Sequence, residues 1–207
     1  VSEAVRPFGV DLDRLGRWLD EAGIARGAAR DPVRLKGGTQ NLMLRFSCGG
    51  ENLVLRRPPP DRGKPGEVVR REAVVLSALA GTEVPHPRFR GACMEPEIAG
   101  GAFLVTDAVE GFTATVEMPG AASTDAALQR RMGLTMLDGL AALAAVPIAG
   151  ELAGLGRTEG FLARQRERWA KQLEGYAAFK DWSGPAALGA VKAVADWLDA
   201  HVPDEFQ

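Results

Sequence analysis

Apolar positions along the chain change period twice. Leu12, Leu15, Trp18 and Leu19 recur at helical spacing behind Asp11, a side chain able to cap a helix N-terminus, so a helix is predicted over about 11–22. Residues 33–57 switch to short alternating runs. Val33-Arg34-Leu35-Lys36, Leu42 to Ser47 and Asn52 to Arg57 are separated by Gly37-Gly38-Thr39-Gln40-Asn41 and by Cys48-Gly49-Gly50, the pattern of three antiparallel strands joined by Gly-rich turns. The stretch Pro58 to Gly66 is too rich in Pro and Gly for regular structure. Glu67 to Ala80 returns to helical period through Val68, Val75, Leu76 and Leu79. Two more strands follow Val84-Pro85-His86-Pro87, about Arg88 to Cys93 and Ala102 to Thr106, joined across Gly100-Gly101.

From Thr124 the strand signals stop. Helices are predicted over about 124–146 (Leu128, Met132, Met136, Leu140, Leu143), 158–176 (Leu162, Trp169, Leu173, Tyr176) and 185–201 (Leu188, Val191, Val194, Leu198). The expectation is an α+β chain in two parts. Residues 1–107 form a five-stranded antiparallel lobe with one inserted helix, and 108–207 form a link followed by the first helices of an α-helical lobe.

Composition narrows the function classes more than it selects one. The 207 residues are 46% hydrophobic and 25% charged, with a net charge of −2, so neither nucleic acid nor an anionic membrane is an expected partner. Of the 25 Lys and Arg only five are Lys. Two cysteines without a Cys-x-x-Cys exclude the usual zinc spacings and point to a reduced, cytoplasmic setting. No secretion signal opens the chain, and the longest apolar stretch, Leu140 to Ala149, is too short to cross a bilayer. G-x-S-x-G and H-E-x-x-H are absent.

Four local features bear on phosphate chemistry. A Gly-rich loop at 37–41 lies between the first two strands, where backbone N–H groups can face phosphate oxygens. Arg56 sits in the third strand, and alternation puts it with Val54 on the face opposite Leu53 and Leu55. Glu72 sits in the following helix, where a carboxylate can orient that cation. The apolar strand at 102–106 runs into the extended link Asp107-Ala108-Val109-Glu110-Gly111, whose backbone can read a base edge. Alone, each has a plainer reading: a hairpin turn, an edge-strand arginine in solvent, a solvated helix face, a strand ending in a turn.

Their order along the chain is more specific. The runs Leu35 to Asn41, Leu53-Val54-Leu55-Arg56-Arg57-Pro58-Pro59, Arg71 to Leu76, Val84 to Pro87 and Phe103 to Gly111 together resemble the aminoglycoside phosphotransferase family, which has a protein-kinase-like fold. The Leu-Arg-Arg-Pro-Pro run is most similar to the branch found alone in bacteria or joined to acyl-CoA dehydrogenases. The resemblance covers roughly 30–200 and is only textural after residue 111, through Trp169 and the run Trp197 to Pro203. It implies a small-molecule kinase that passes the γ-phosphoryl group of ATP or GTP, with Mg2+, to a hydroxyl of a small substrate. By motif position Gly38 and Thr39 would cover phosphate, Arg56 would hold it and Glu72 would fix Arg56. Asp107 and Val109 would read the base, with Thr106 at the back of the pocket.

One departure cuts against turnover. The family's catalytic base and metal ligands lie in a His-Gly-Asp…Asn motif and a later Asp, and this sequence has no Asn after Asn52 and no His that begins such a motif. The expectation is therefore a truncated chain with no catalytic residue and no Mg2+ ligand of its own, inactive as it stands and prone to self-association through uncovered helix faces. The alternative is a non-catalytic nucleotide-sensing or protein-interaction module that retains the kinase-like lobe. The acceptor, and the choice between ATP and GTP, are not legible.

Overall fold

A computed structural model describes residues 6–35, 41–59, 63–114, 118–156 and 159–203. It contains helix α1 (Leu12–Glu21), strands β1 (Arg30–Arg34), β2 (Leu42–Cys48) and β3 (Glu51–Arg57), helix α2 (Pro65–Leu79), strand β4 (Phe89–Cys93), a short helix α3 (Pro96–Ala99), and strand β5 (Phe103–Asp107). Helices α4 (Ala126–Ala144), α5 (Phe161–Gly175) and α6 (Val191–Ala200) follow. The five strands form one antiparallel sheet in the order β1-β2-β3-β5-β4. The α+β architecture expected from the sequence is the one observed.

Each face of the sheet has its own cover, set by strand alternation. Leu44, Phe46, Leu53, Leu55, Phe103 and Val105 point to one side, where Val10, Leu15 and Leu19 from the α1 region and Ile98 and Ala99 of α3 close a single core. Trp18 packs edge-on against Phe103 with ring centroids 5.2 Å apart. Asp11 caps α1 by accepting from the Arg14 N–H at 3.0 Å. The β2–β3 turn requires glycine at Gly49. Its φ is +61°, and a Cβ there would lie 2.6 Å from the Arg26 carbonyl oxygen.

The opposite face carries Val54, Arg56, Leu104 and Thr106 and is covered by α2. Buried Val69 and Leu104, with partly buried Leu76 and Phe89, form the contact. Here the structure corrects the sequence pattern: Val68 and Val75 are exposed, and the stripe facing the sheet is Val69, Glu72, Leu76 and Leu79. Spacings of three, four and three keep these residues on one side of a helix. Glu72 therefore belongs to the sheet-facing stripe, not to the solvated one.

Two boundaries also differ. The strands β4 and β5 are joined through α3 as well as through the expected turn at Gly100-Gly101. Arg57 holds this insertion, its guanidinium donating to the carbonyl of Ala99 at the C-terminus of α3, and burial pulls its pKa down. The single helix expected over 185–201 is interrupted at Gly189, whose φ of +74° and ψ of −102° are not helical, leaving a 3-10 turn at Pro185–Leu188 before α6.

The chain forms two compact units, Val1–Leu152 and Ala153–Gln207. Helix α4 lies within the first unit, beyond the 107/108 boundary expected from sequence. A methyl placed on Gly139 would lie 3.4 Å from Cδ of Pro85, just before β4. In the second unit α5 and α6 are tied by Arg166, which donates through Nε to both carboxylate oxygens of Asp199 at 3.0 and 3.1 Å. No helix of the described residues is long and apolar enough to cross a membrane.

Candidate nucleotide site

Arg56 and Glu72 meet on the α2 face of the sheet. Strand β3 presents Arg56 there by alternation, and α2 presents Glu72 from its inward stripe. Nη1 of Arg56 lies 2.7 Å from Oε2 of Glu72, with the side chains 35% and 25% exposed. That oxygen is buried and receives no aligned hydrogen bond, so the contact is one of charge and not of a directed N–H. A partly solvated pair of this kind contributes at most about 1 kcal/mol to stability. Its consequence is orientation: the carboxylate fixes where the guanidinium stands.

Sheet register places the remaining residues around the pair. Arg56 is opposite Met43 on β2 and Leu104 on β5, while Val54 is opposite Arg45 and Thr106. Thr106 is 7% exposed and lies one cross-strand row from Arg56 on the same face, about 7 Å along the sheet. Asp107 ends β5. Its N–H donates to the carbonyl of Arg88 at 2.9 Å, and the Ala108 N–H donates to that of Asn52 at 3.0 Å. Val109 follows on the link, 73% exposed. Arg56, Glu72 and Thr106 thus share the α2 face, whereas Asp107, opposite Leu53, turns its side chain to the other face, and Val109 lies just beyond the sheet. Gly38 and Thr39 lie outside the described residues.

Three partners of this site were not singled out from sequence. Arg90 on β4, its side chain 14% exposed, binds Asp107 Oδ1 at 2.7 Å, also binds Glu51, and donates to the Ile24 carbonyl at 2.8 Å. The hydrogen bond to Glu51 is the largest of the effects that raise its pKa further. Arg45 on β2 reaches Glu110 of the link at 2.6 Å. Both acidic residues of the link are therefore anchored to the sheet, which limits how far its backbone can wander. The third partner is Asn41, on β2 parity with Met43 and thus on the Arg56 face. Parity with Arg56 was the signal available in the sequence for Asn41 and Arg45. For Arg90 no such signal existed, since its partners come from three different elements.

The sheet order, the helix inserted after β3 and the link after β5 are the arrangement of kinase-like phosphotransferases. Over residues 31–207 the chain matches the model of the phosphotransferase enzyme family, APH. The chain belongs to that family. A solved structure titled "putative aminoglycoside phosphotransferase", from Ralstonia eutropha JMP134, matches with a TM-score of 0.61 and 25% identity, covering 92% of this chain and 53% of that one. The "Probable acyl-CoA dehydrogenase IBR3" of Arabidopsis thaliana is 30% identical over 158 residues, covering 73% of this chain and 18% of the plant protein. The family member thus spans about half the length of the solved relative and under a fifth of the curated one. The acyl-CoA dehydrogenase name of the second relative agrees with the branch that the Leu-Arg-Arg-Pro-Pro run resembles.

Proposed function

We propose that this region binds the nucleotide for a small-molecule kinase, in which the γ-phosphoryl group of ATP or GTP passes to a hydroxyl of a small substrate. The observation that carries the proposal is the Arg56–Glu72 contact on a sheet face that also bears Thr106 and leads into the anchored link. A guanidinium held by a carboxylate supplies fixed positive charge to the α- and β-phosphates. Thr106, Asp107 and Val109 supply the wall and the backbone groups for the base. Such a site lowers the barrier by placing charge where phosphate charge must be held, with no reorganisation at the moment of transfer.

Mg2+ is expected of such chemistry, yet among the described residues no group of three His, Cys, Asp or Glu fits a metal ion. Glu72 Oε2 is committed to Arg56. No step is therefore assigned to a metal bound by these residues, and no proton acceptor is assigned among them.

The direct test is binding rather than turnover. ADP and ATP should raise the melting temperature of the 207-residue chain. Arg56→Ala should weaken the nucleotide at least about tenfold, and Glu72→Gln by less. Equal affinity in wild type and Arg56→Ala would remove the proposal.

A further inference from the structure

Arg56 has a second holder besides Glu72. With the Asn41 amide turned so that its oxygen faces the guanidinium, that oxygen accepts from Nε at 3.0 Å and from Nη2 at 2.8 Å. The opposite orientation would set N–H against N–H, so the hydrogen-bonding groups themselves choose this one. The placement follows from strand geometry. Met43 is directly opposite Arg56, and Asn41, two residues earlier and just before the start of β2, follows the same parity toward the Arg56 face, within reach of a long side chain.

We propose that Asn41 is a positioning residue for phosphate recognition: its amide oxygen holds the side edge of the Arg56 guanidinium so that the remaining N–H donors stand ready for the nucleotide phosphates. The role rests on the nucleotide-binding proposal above and adds to it a residue that sequence reading placed in the Gly-rich loop without a task.

Donor arithmetic shows why the clamp and the ligand are compatible. A guanidinium has five N–H bonds. Asn41 takes two of them, one on Nε and one on Nη2, and Glu72 lies against Nη1 without an aligned hydrogen bond. Three donors remain, on the two terminal nitrogens whose pairing suits a phosphate with two oxygens. The same arithmetic explains the use of Arg where a kinase-like strand ordinarily has Lys. An ammonium offers one nitrogen and has no side edge to grip, whereas the planar fork can be held along one edge and donate from another. A single neutral amide oxygen satisfies the edge without adding negative charge beside the phosphates.

The experiment measures ADP and adenosine binding by calorimetry in wild type, Asn41→Ala, Arg56→Lys and the double variant of the full chain. Asn41→Ala should weaken ADP about five- to tenfold and leave adenosine, which has no phosphate, within about twofold. In the Arg56→Lys background the same change should move ADP by less than about twofold, because the edge that Asn41 holds is gone. Loss of adenosine binding in parallel with ADP would mean a general structural role and would overturn the proposal. Unchanged or tighter ADP binding in Asn41→Ala would also overturn it, showing that the amide is idle or competes with phosphate, while leaving nucleotide binding intact. A wild-type chain that binds neither ligand overturns both proposals.

Discussion

Phe103 and Leu140 both stand where the hydrophobic pattern predicts an inward face, and they meet opposite surroundings. Phe103 in β5 is fully buried, with α1 packed over it, whereas Leu140 in α4 is 55% exposed. The contrast extends to the regions around them. Between residues 6 and 114 the sheet is covered on one face by α1 and α3 and on the other by α2. After Ala122 no described residue is buried, although Leu134, Met136, Leu137, Trp169, Val194 and Trp197 continue the apolar pattern. Amphipathic period tells which side of a helix is apolar; burial depends on what lies against that side. In the sheet region the covers are neighbours in sequence, so the chain completes its own core there.

The largest effects should therefore fall in the sheet. Phe103→Ala removes a fully buried ring from the larger core and should cost about 3–5 kcal/mol in urea unfolding. Leu140→Ala should stay within about 0.5 kcal/mol, the range of surface changes. Comparable losses at the two positions would break the comparison, since they would require α4 to be packed as tightly as β5.

A middle-sized effect tests whether polar contacts sharpen the same division. Arg90 joins β4 to Glu51 on β3, to Asp107 at the end of β5 and to the Ile24 carbonyl after α1, with its side chain largely buried. Arg90→Ala should cost about 1–3 kcal/mol, because it removes a largely buried side chain, strands the Ile24 carbonyl and takes the partner from two part-exposed carboxylates. Arg166→Ala in the second unit, where Arg166 and Asp199 are 44% and 48% exposed, should cost no more than about 1 kcal/mol. A larger loss at Arg166 than at Arg90, by the same unfolding assay, would reverse the ranking.

What the sequence made legible follows the same line. The sheet, its two-sided alternation and the approximate ends of α1, α2 and β2–β5 could be read because period 2 and period 3.6 are local signals, whereas β1 begins at Arg30, three residues before the expected start at Val33. The facing residue on α2 could not be read securely, since Val68 and Val69 are adjacent valines and only the sheet decides which one is inward. Gly189 interrupts the last helix, as a lone glycine within a helical period can do without changing the apolar spacing. In the site, Arg56 and Glu72 were reachable by alternation and chain order. Asn41 lay in a loop motif read for its glycines, and Arg90 acts through contacts with residues 17, 39 and 66 positions away in sequence. Pairings of that range leave no periodic trace.

The smallest expected effect uses the cysteines, both of which lie in the sheet region. Cys48 and Cys93 are buried, and burial is the main cause pushing both thiol pKa values up, with Glu51 and Asp20 adding to the effect at Cys48. In the unfolded chain the thiols ionise near the ordinary value of about 8.5. The folded state holds its thiol protons to higher pH than the unfolded state does. Their contribution is thus fully present below that value and declines as pH rises through the folded pKa values. Between pH 7.5 and 8.5 stability should fall by no more than about 0.4 kcal/mol for each thiol. Hydrogen exchange should show the loss in β2 and β4 and not in α5 or α6, whose unit contains no cysteine. A Cys48→Ala/Cys93→Ala chain should lose this slope while keeping its stability flat from pH 7 to 8. An unchanged slope in that variant would place the alkaline sensitivity elsewhere and remove the thiols from the comparison.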